Sequence, residues 1–259
     1  MSNSELIRRK YNKPAVQEAI FEAKFTCDTD SFSVTTPGQI FEKIKNNYPK
    51  KRDIKHIPVY LGNLANVRQP PFLIQAPLIQ ARNEDDTELL QVGPGLAVAN
   101  RLKYLSWEEF IPAIKTVLDA YVNLAKPKLV TRIGTRYINS FLIPQENINV
   151  IDYFNLGVHI PNALSQFEGF DLTFINKIKS VVNEHGPDFD IRTKFFTDTL
   201  RPNETGNKLI LDIDCYVMKE YDPNIENIIS LATQAHHTLE MIFETIITDK
   251  TRSLMEVEQ

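Results

Sequence analysis

LVTRIGTRYINSFLI, residues 129–143, decides how this chain is read. It is a long, strand-like run that opens after Lys126-Pro127 closes a helical pattern, and it begins a second pass through an order of elements already met upstream. After it come a short apolar helix-like piece (residues 150–156) and strand runs around residues 167–182, 189–196 and 208–218. Asp222-Pro223 is then expected to cap a long helix that turns Ile225, Ile228, Ile229, Ala232, Leu239, Ile242, Phe243 and Ile246 inward.

Upstream the order is the same. Residues 15–27 alternate as a half-buried strand, with Ala19, Phe21, Ala23 and Phe25 on the apolar face and Glu18, Glu22 and Lys24 on the other. Thr36-Pro37-Gly38-Gln39 has the composition of a capped helix start, and Ile40, Phe41, Ile44 and Tyr48 form one face of a helix ending near Pro49. Residues 53–100 carry proline-interrupted strand runs, the last two joined by a Gly93-Pro94-Gly95 turn. Ser106-Trp107-Glu108-Glu109 is a second capping box, before a helix faced with Phe110, Ile114, Val117, Leu118, Tyr121 and Ala125, with Pro112 disturbing its first turns or marking its start. The expected fold class is therefore α+β, built from two similar units (14–126 and 127–250) packed about a pseudo-twofold, in a TATA-binding-protein-like or helix-grip-like arrangement. A basic lead-in (1–13) and a polar tail (251–259) flank them.

Composition excludes several classes. With 42% hydrophobic and 24% charged residues among 259, the chain is globular and large enough for a sizeable core. Its net charge of −4 supplies no global field for nucleic acid or an anionic membrane. Two cysteines, Cys27 and Cys215, are too few for a disulfide framework or a cysteine zinc site, and no apolar run approaches a membrane span. A cytoplasmic location is expected. The phosphate-cradling and dinucleotide glycine motifs and the Gly-x-Ser-x-Gly elbow are missing, and only 9 glycines are present. Neither cofactor nor metal is expected.

Four constellations have chemical interest. Arg132 and Arg136 share one strand face about 13 Å apart with Gly134 between them, which leaves room for a carboxylate, a phosphate or a partner's backbone; the structural alternative is pairing with Glu18 or Glu22 on a neighbouring strand. His236 falls on the apolar stripe of the last helix and reads as a packed core histidine, with a ligand or general base as the alternative, while His237 points about 100° away, so the two are not expected to chelate one ion. Asp188, Asp190, Asp212 and Asp214 alternate along two strand runs, and Arg192 and Lys194 would lie opposite the latter pair in a hairpin, making a salt-bridge ladder rather than a divalent-cation site. Lys43, Lys45, Lys50, Lys51, Arg52 and Lys55 form a basic patch that could hold nucleic-acid phosphates, the alternative being a charged helix end.

Lys13-Pro14-Ala15-Val16-Gln17-Glu18-Ala19, then Gln91, Asn100, Tyr104 and Trp107, then Arg132-x-Gly134-x-Arg136-Tyr137-Ile138-Asn139 together resemble a sporadically distributed, uncharacterised bacterial family of about this length, whose double proline stands here as Pro14-Ala15. The resemblance implies a bacterial, cytoplasmic protein of patchy occurrence, as mobile or defence-linked genes have, and transfers no catalytic residue. The function expected is a non-catalytic binding subunit whose partner is another protein. The alternatives are a small anionic ligand or an enzymatic groove between the halves using Arg132, Arg136 and His236, and, least expected, nucleic-acid binding through the basic patch.

Overall fold

The computed structural model describes residues 9–27, 32–33, 35–54, 78–145, 148–156, 173–180 and 187–257. Over these the chain is a mixed α+β protein, with five helices and one nine-stranded antiparallel sheet. The first half supplies β1 (Val16–Thr26), α1 (Thr36–Ile44), β2 (Lys50–Ile54), β3 (Leu78–Arg82), β4 (Glu88–Gly93), β5 (Leu96–Arg101) and α2 (Trp107–Ala125). The second supplies β6 (Leu129–Ile143), α3 (Val150–Tyr153), β7 (Thr173–Ser180), β8 (Phe189–Asp198), β9 (Asn207–Val217), α4 (Ile225–Ile246) and α5 (Asp249–Met255). The sheet order is β2-β3-β4-β5-β1-β6-β9-β8-β7. In each half the first strand lies beside the last and the others follow in descending order, so β1 and β6 pair at the centre.

The long helices cover one face. Along β1, Ala19, Phe21 and Ala23 are fully buried beneath them, while Glu18, Glu22 and Lys24 alternate onto the other face. α2 presents Phe110, Ile114, Leu118 and Tyr121, all inaccessible to solvent; burying a side chain of this size contributes roughly 1.5–3 kcal/mol. α4 packs across β6 and β9 and touches α2, where the Trp107 indole donates to Thr233 Oγ1 at 3.1 Å.

Several local expectations change. Ser106 caps α2 as expected, its side chain accepting from the Glu109 amide, and Pro112 lies inside the helix rather than at its start. α4 is capped by Asn224, which accepts from the Asn227 amide, instead of by Asp222-Pro223. α1 begins at Thr36 after Thr35, without a side-chain cap. The tail forms α5, capped by Thr248, with Thr251 and Met255 buried, and the lead-in meets it through Asn12 and Lys13 amides donating to the Glu256 and Met255 carbonyls. The turn after β4 is as expected: Gly95 has φ +64°, and a Cβ there would lie 2.6 Å from the Phe25 carbonyl oxygen. No helix among the described residues is long and apolar enough to cross a membrane.

Candidate functional site

The alternation of β6 divides the expected site. Arg132, Gly134 and Arg136 point to the open face, whereas Thr135, Tyr137 and Asn139 point under α4, with Thr135 Oγ1 donating to the Ala232 carbonyl at 3.1 Å. Arg132 and Arg136 are therefore separated from His236 by the thickness of the sheet, and the three do not form one groove.

On the open face both guanidiniums are occupied by the protein. Arg136 makes a two-pronged pair with Asp212, Nε and Nη2 each 2.6 Å from a carboxylate oxygen. Arg132 reaches Glu22 Oε1 at 2.8 Å and both oxygens of Asp214 at 2.9 Å. Burial pulls the Arg136 pKa down, but the hydrogen bond and charge of Asp212 outweigh it and the pKa is raised. Burial pushes the Asp214 carboxyl above its usual range despite Arg132. The space left by Gly134 holds Arg132 itself: a Cβ at 134 would lie 2.7 Å from Nη1 of Arg132 and 3.0 Å from Cβ of Tyr216, over whose ring the guanidinium sits at 4.4 Å. An anion has no place in that gap. The β8–β9 hairpin sets Arg192 against Asp214 and Lys194 against Asp212, as the spacing predicts, with Lys194 Nζ 3.8 Å from Asp212.

The basic patch is dispersed. Lys50, Lys51 and Arg52 lie on β2, a terminal strand of the described sheet, rather than on a helix end, and charges there discourage edge-to-edge pairing. Lys45 pairs with Glu42, Lys50 with Asp86 and Lys51 with Asp53, while Lys43 is exposed on α1; Lys55 lies outside the described residues.

Beneath the sheet the chemistry differs. His236 is fully buried; its imidazole stacks on Trp107, with centroids 4.7 Å apart and planes 8° from parallel. Its Nδ1 is hydrogen-bonded to the Tyr137 hydroxyl at 2.6 Å, and Tyr137 to the Tyr104 hydroxyl at 2.8 Å. On the other side, Nε2 lies 3.5 Å from Oε2 of Glu240, which is 3.7 Å from Nδ1 of His237. This chain of groups runs into a cleft of about 770 Å³ between the start of α2, the second half of α4 and the lead-in, lined by Tyr104, Tyr137, Asn139, His237 and Glu240 among others. That volume suits a small-molecule site.

Asn139 forms part of the lining. It is 1% exposed, and its Nδ2 donates to the Leu211 carbonyl at 3.0 Å, which fixes the amide orientation because a carbonyl only accepts. Its Oδ1 is buried without a hydrogen-bond partner. A buried acceptor left unpaired costs about 1–3 kcal/mol. Glu244, farther along α4, is by contrast fully engaged: Tyr11 donates to it at 2.5 Å, and Arg9 and Arg252 each approach it at 3.1 Å. Burial, then the hydrogen bond and charge of Glu244, raise the Tyr11 pKa, so its hydroxyl remains a donor.

Of the candidate site residues named in the sequence, His236 belongs to this region and His237, set aside there for its divergence, lines the cleft, while Tyr104, Trp107, Tyr137 and Asn139 entered through the motif resemblance and not as site candidates. Tyr104, Trp107, Tyr137, Asn139 and Glu240 were missed as a group. Polar Asn139 on the helix-facing side of β6 was a usable signal, and so was Glu240, whose azimuth on α4 falls between those of the two histidines. Compared with known proteins, the chain matches no protein-family model and no curated protein sequence.

Proposed function

We propose that the protein binds a small ligand in the cleft beneath α4, with Asn139 Oδ1 accepting a hydrogen bond from it. The orphaned acceptor carries this reading: among the described residues Asn139 Oδ1 is the one buried side-chain polar atom without a hydrogen-bond partner, and its residue lines a concave, mostly apolar cleft. The ligand carries an N–H or O–H donor at its inner end; the lining sets Arg9 and Lys10 against Glu108, Glu240 and Glu244 and so favours no anionic group. Screening by thermal shift against small polar compounds of either charge, followed by equilibrium binding to the parent and to Asn139→Leu, tests this. A ligand that raises the melting temperature of the parent and binds the variant at least about tenfold more weakly supports the proposal. Equal binding to both overturns it.

A protein partner is the second reading. Leu105 is 60% exposed and Met241 36% exposed, and both line the cleft, so a partner's chain end could enter it with apolar contacts around its rim. Nucleic-acid binding has the least support, since three of the five described patch cations are neutralised locally. The mirrored strand order favours two related units in a TATA-binding-protein-like layout, and the acidic composition and the motif resemblance favour a bacterial, cytoplasmic protein.

A further inference from the structure

We infer that His236, His237 and Glu240 form a three-ligand site for a zinc-class divalent ion at the edge of the cleft. Their ligand atoms lie within 4.8 Å of one another. Two of the three separations are 3.5 and 3.7 Å, both with Glu240 Oε2. Metal–ligand bonds of about 2.0–2.1 Å in a tetrahedron place donor atoms about 3.3 Å apart, so small side-chain rotations close the site. Adjacent histidines diverge by about 100° on a helix, but Glu240, one turn on, lies about 40° from His236 and about 60° from His237. It bridges the divergence that made the pair unpromising in the sequence.

The surroundings suit a metal ligand. The stacked Trp107 indole fixes the imidazole plane of His236. Tyr137 is hydrogen-bonded to Nδ1, so with Nε2 on the metal, Nδ1–H donates to that hydroxyl, the outer contact that orients a metal-bound histidine. His237 is half-exposed, and both it and Glu240 line the cleft, which gives an ion a way in. Two imidazoles and a carboxylate fill three positions, and the fourth opens on the cleft, as in zinc sites that accept water or a substrate atom. The site stands whether or not the cleft also takes an organic ligand.

Titrating the full-length protein with Co²⁺, followed by visible ligand-field absorption, and with Zn²⁺ in competition, provides the test. His237→Ala alters an exposed side chain and Glu240→Gln keeps the shape of a part-buried one, so the His236–Trp107 stack stays in place and thermal melts should match the parent. Saturation at one equivalent, with affinity at least about tenfold lower in each variant, is expected. Absence of saturable binding, or binding that survives either substitution unchanged, overturns the three-ligand site. Asn139→Leu separates the two proposals: it is expected to keep Co²⁺ binding while losing the organic ligand.

Discussion

The two faces of the sheet use their polar side chains oppositely. On the open face each arginine that drew attention has carboxylates on the adjacent strands, displaced along the strand from the position directly opposite: Asp212 for Arg136, and Glu22 with Asp214 for Arg132. Beneath α4 the polar groups are mostly neutral, buried among aromatic rings, and one acceptor is left unpaired. Conspicuous charge on a sheet marks the ladder that holds neighbouring strands in register. Quiet polarity in a core marks the place where the protein tolerates a cost.

Arg136→Ala should make this contrast most visible. It strips the pairing from Asp212, which is 3% exposed, leaving only Lys194 at 3.8 Å. A loss of about 2 kcal/mol is expected in urea unfolding, below the 3–5 kcal/mol of a fully buried pair because the arginine side chain is itself 36% exposed. Unchanged stability would return Arg136 to the list of candidate ligand contacts.

Gly134→Ala should come next, at about 1–2 kcal/mol. The new methyl group meets Tyr216 Cβ and a guanidinium held by Glu22 and Asp214, so the side chain that must yield is anchored at both ends. Asp214→Asn sharpens the comparison with the smallest effect, less than about 1 kcal/mol at neutral pH. Because burial raises the folded-state pKa of Asp214, the folded chain holds that proton more tightly than the unfolded chain does. The associated stability is fully present below the unfolded pKa and is lost as pH rises through the folded one. Melting temperatures across that acidic range should therefore shift in favour of the asparagine variant as pH increases, and a shift favouring the parent would show that Arg132 dominates the carboxylate.

Much of the fold was legible in local pattern. The apolar face of β1, the Gly95 turn, the Ser106 cap and the opposition of Arg192 and Lys194 to Asp214 and Asp212 all follow from periods of two or from turn and cap chemistry. The strand carrying Lys50, Lys51 and Arg52 was hidden because four charged residues followed by a single isoleucine at a sheet edge have no hydrophobic alternation to read. α5 was hidden by its length: seven residues hold as a helix only through Thr251 and Met255 packing and the contact with the lead-in.

By itself the sequence determined which side chains share a strand face, where the main helices start to within two residues and that the chain is α+β, because those depend on neighbours two to four residues away. Only the tertiary structure decided that Arg132 and Arg136 face away from His236, that Asp212 and Asp214 rather than Glu18 complete their pairing, and that Tyr104, Asn139 and Glu240 meet at one cleft. Those outcomes depend on which strands become neighbours and which face α4 covers, and contacts between residues about a hundred positions apart are set by the packing of the whole sheet rather than by any local preference.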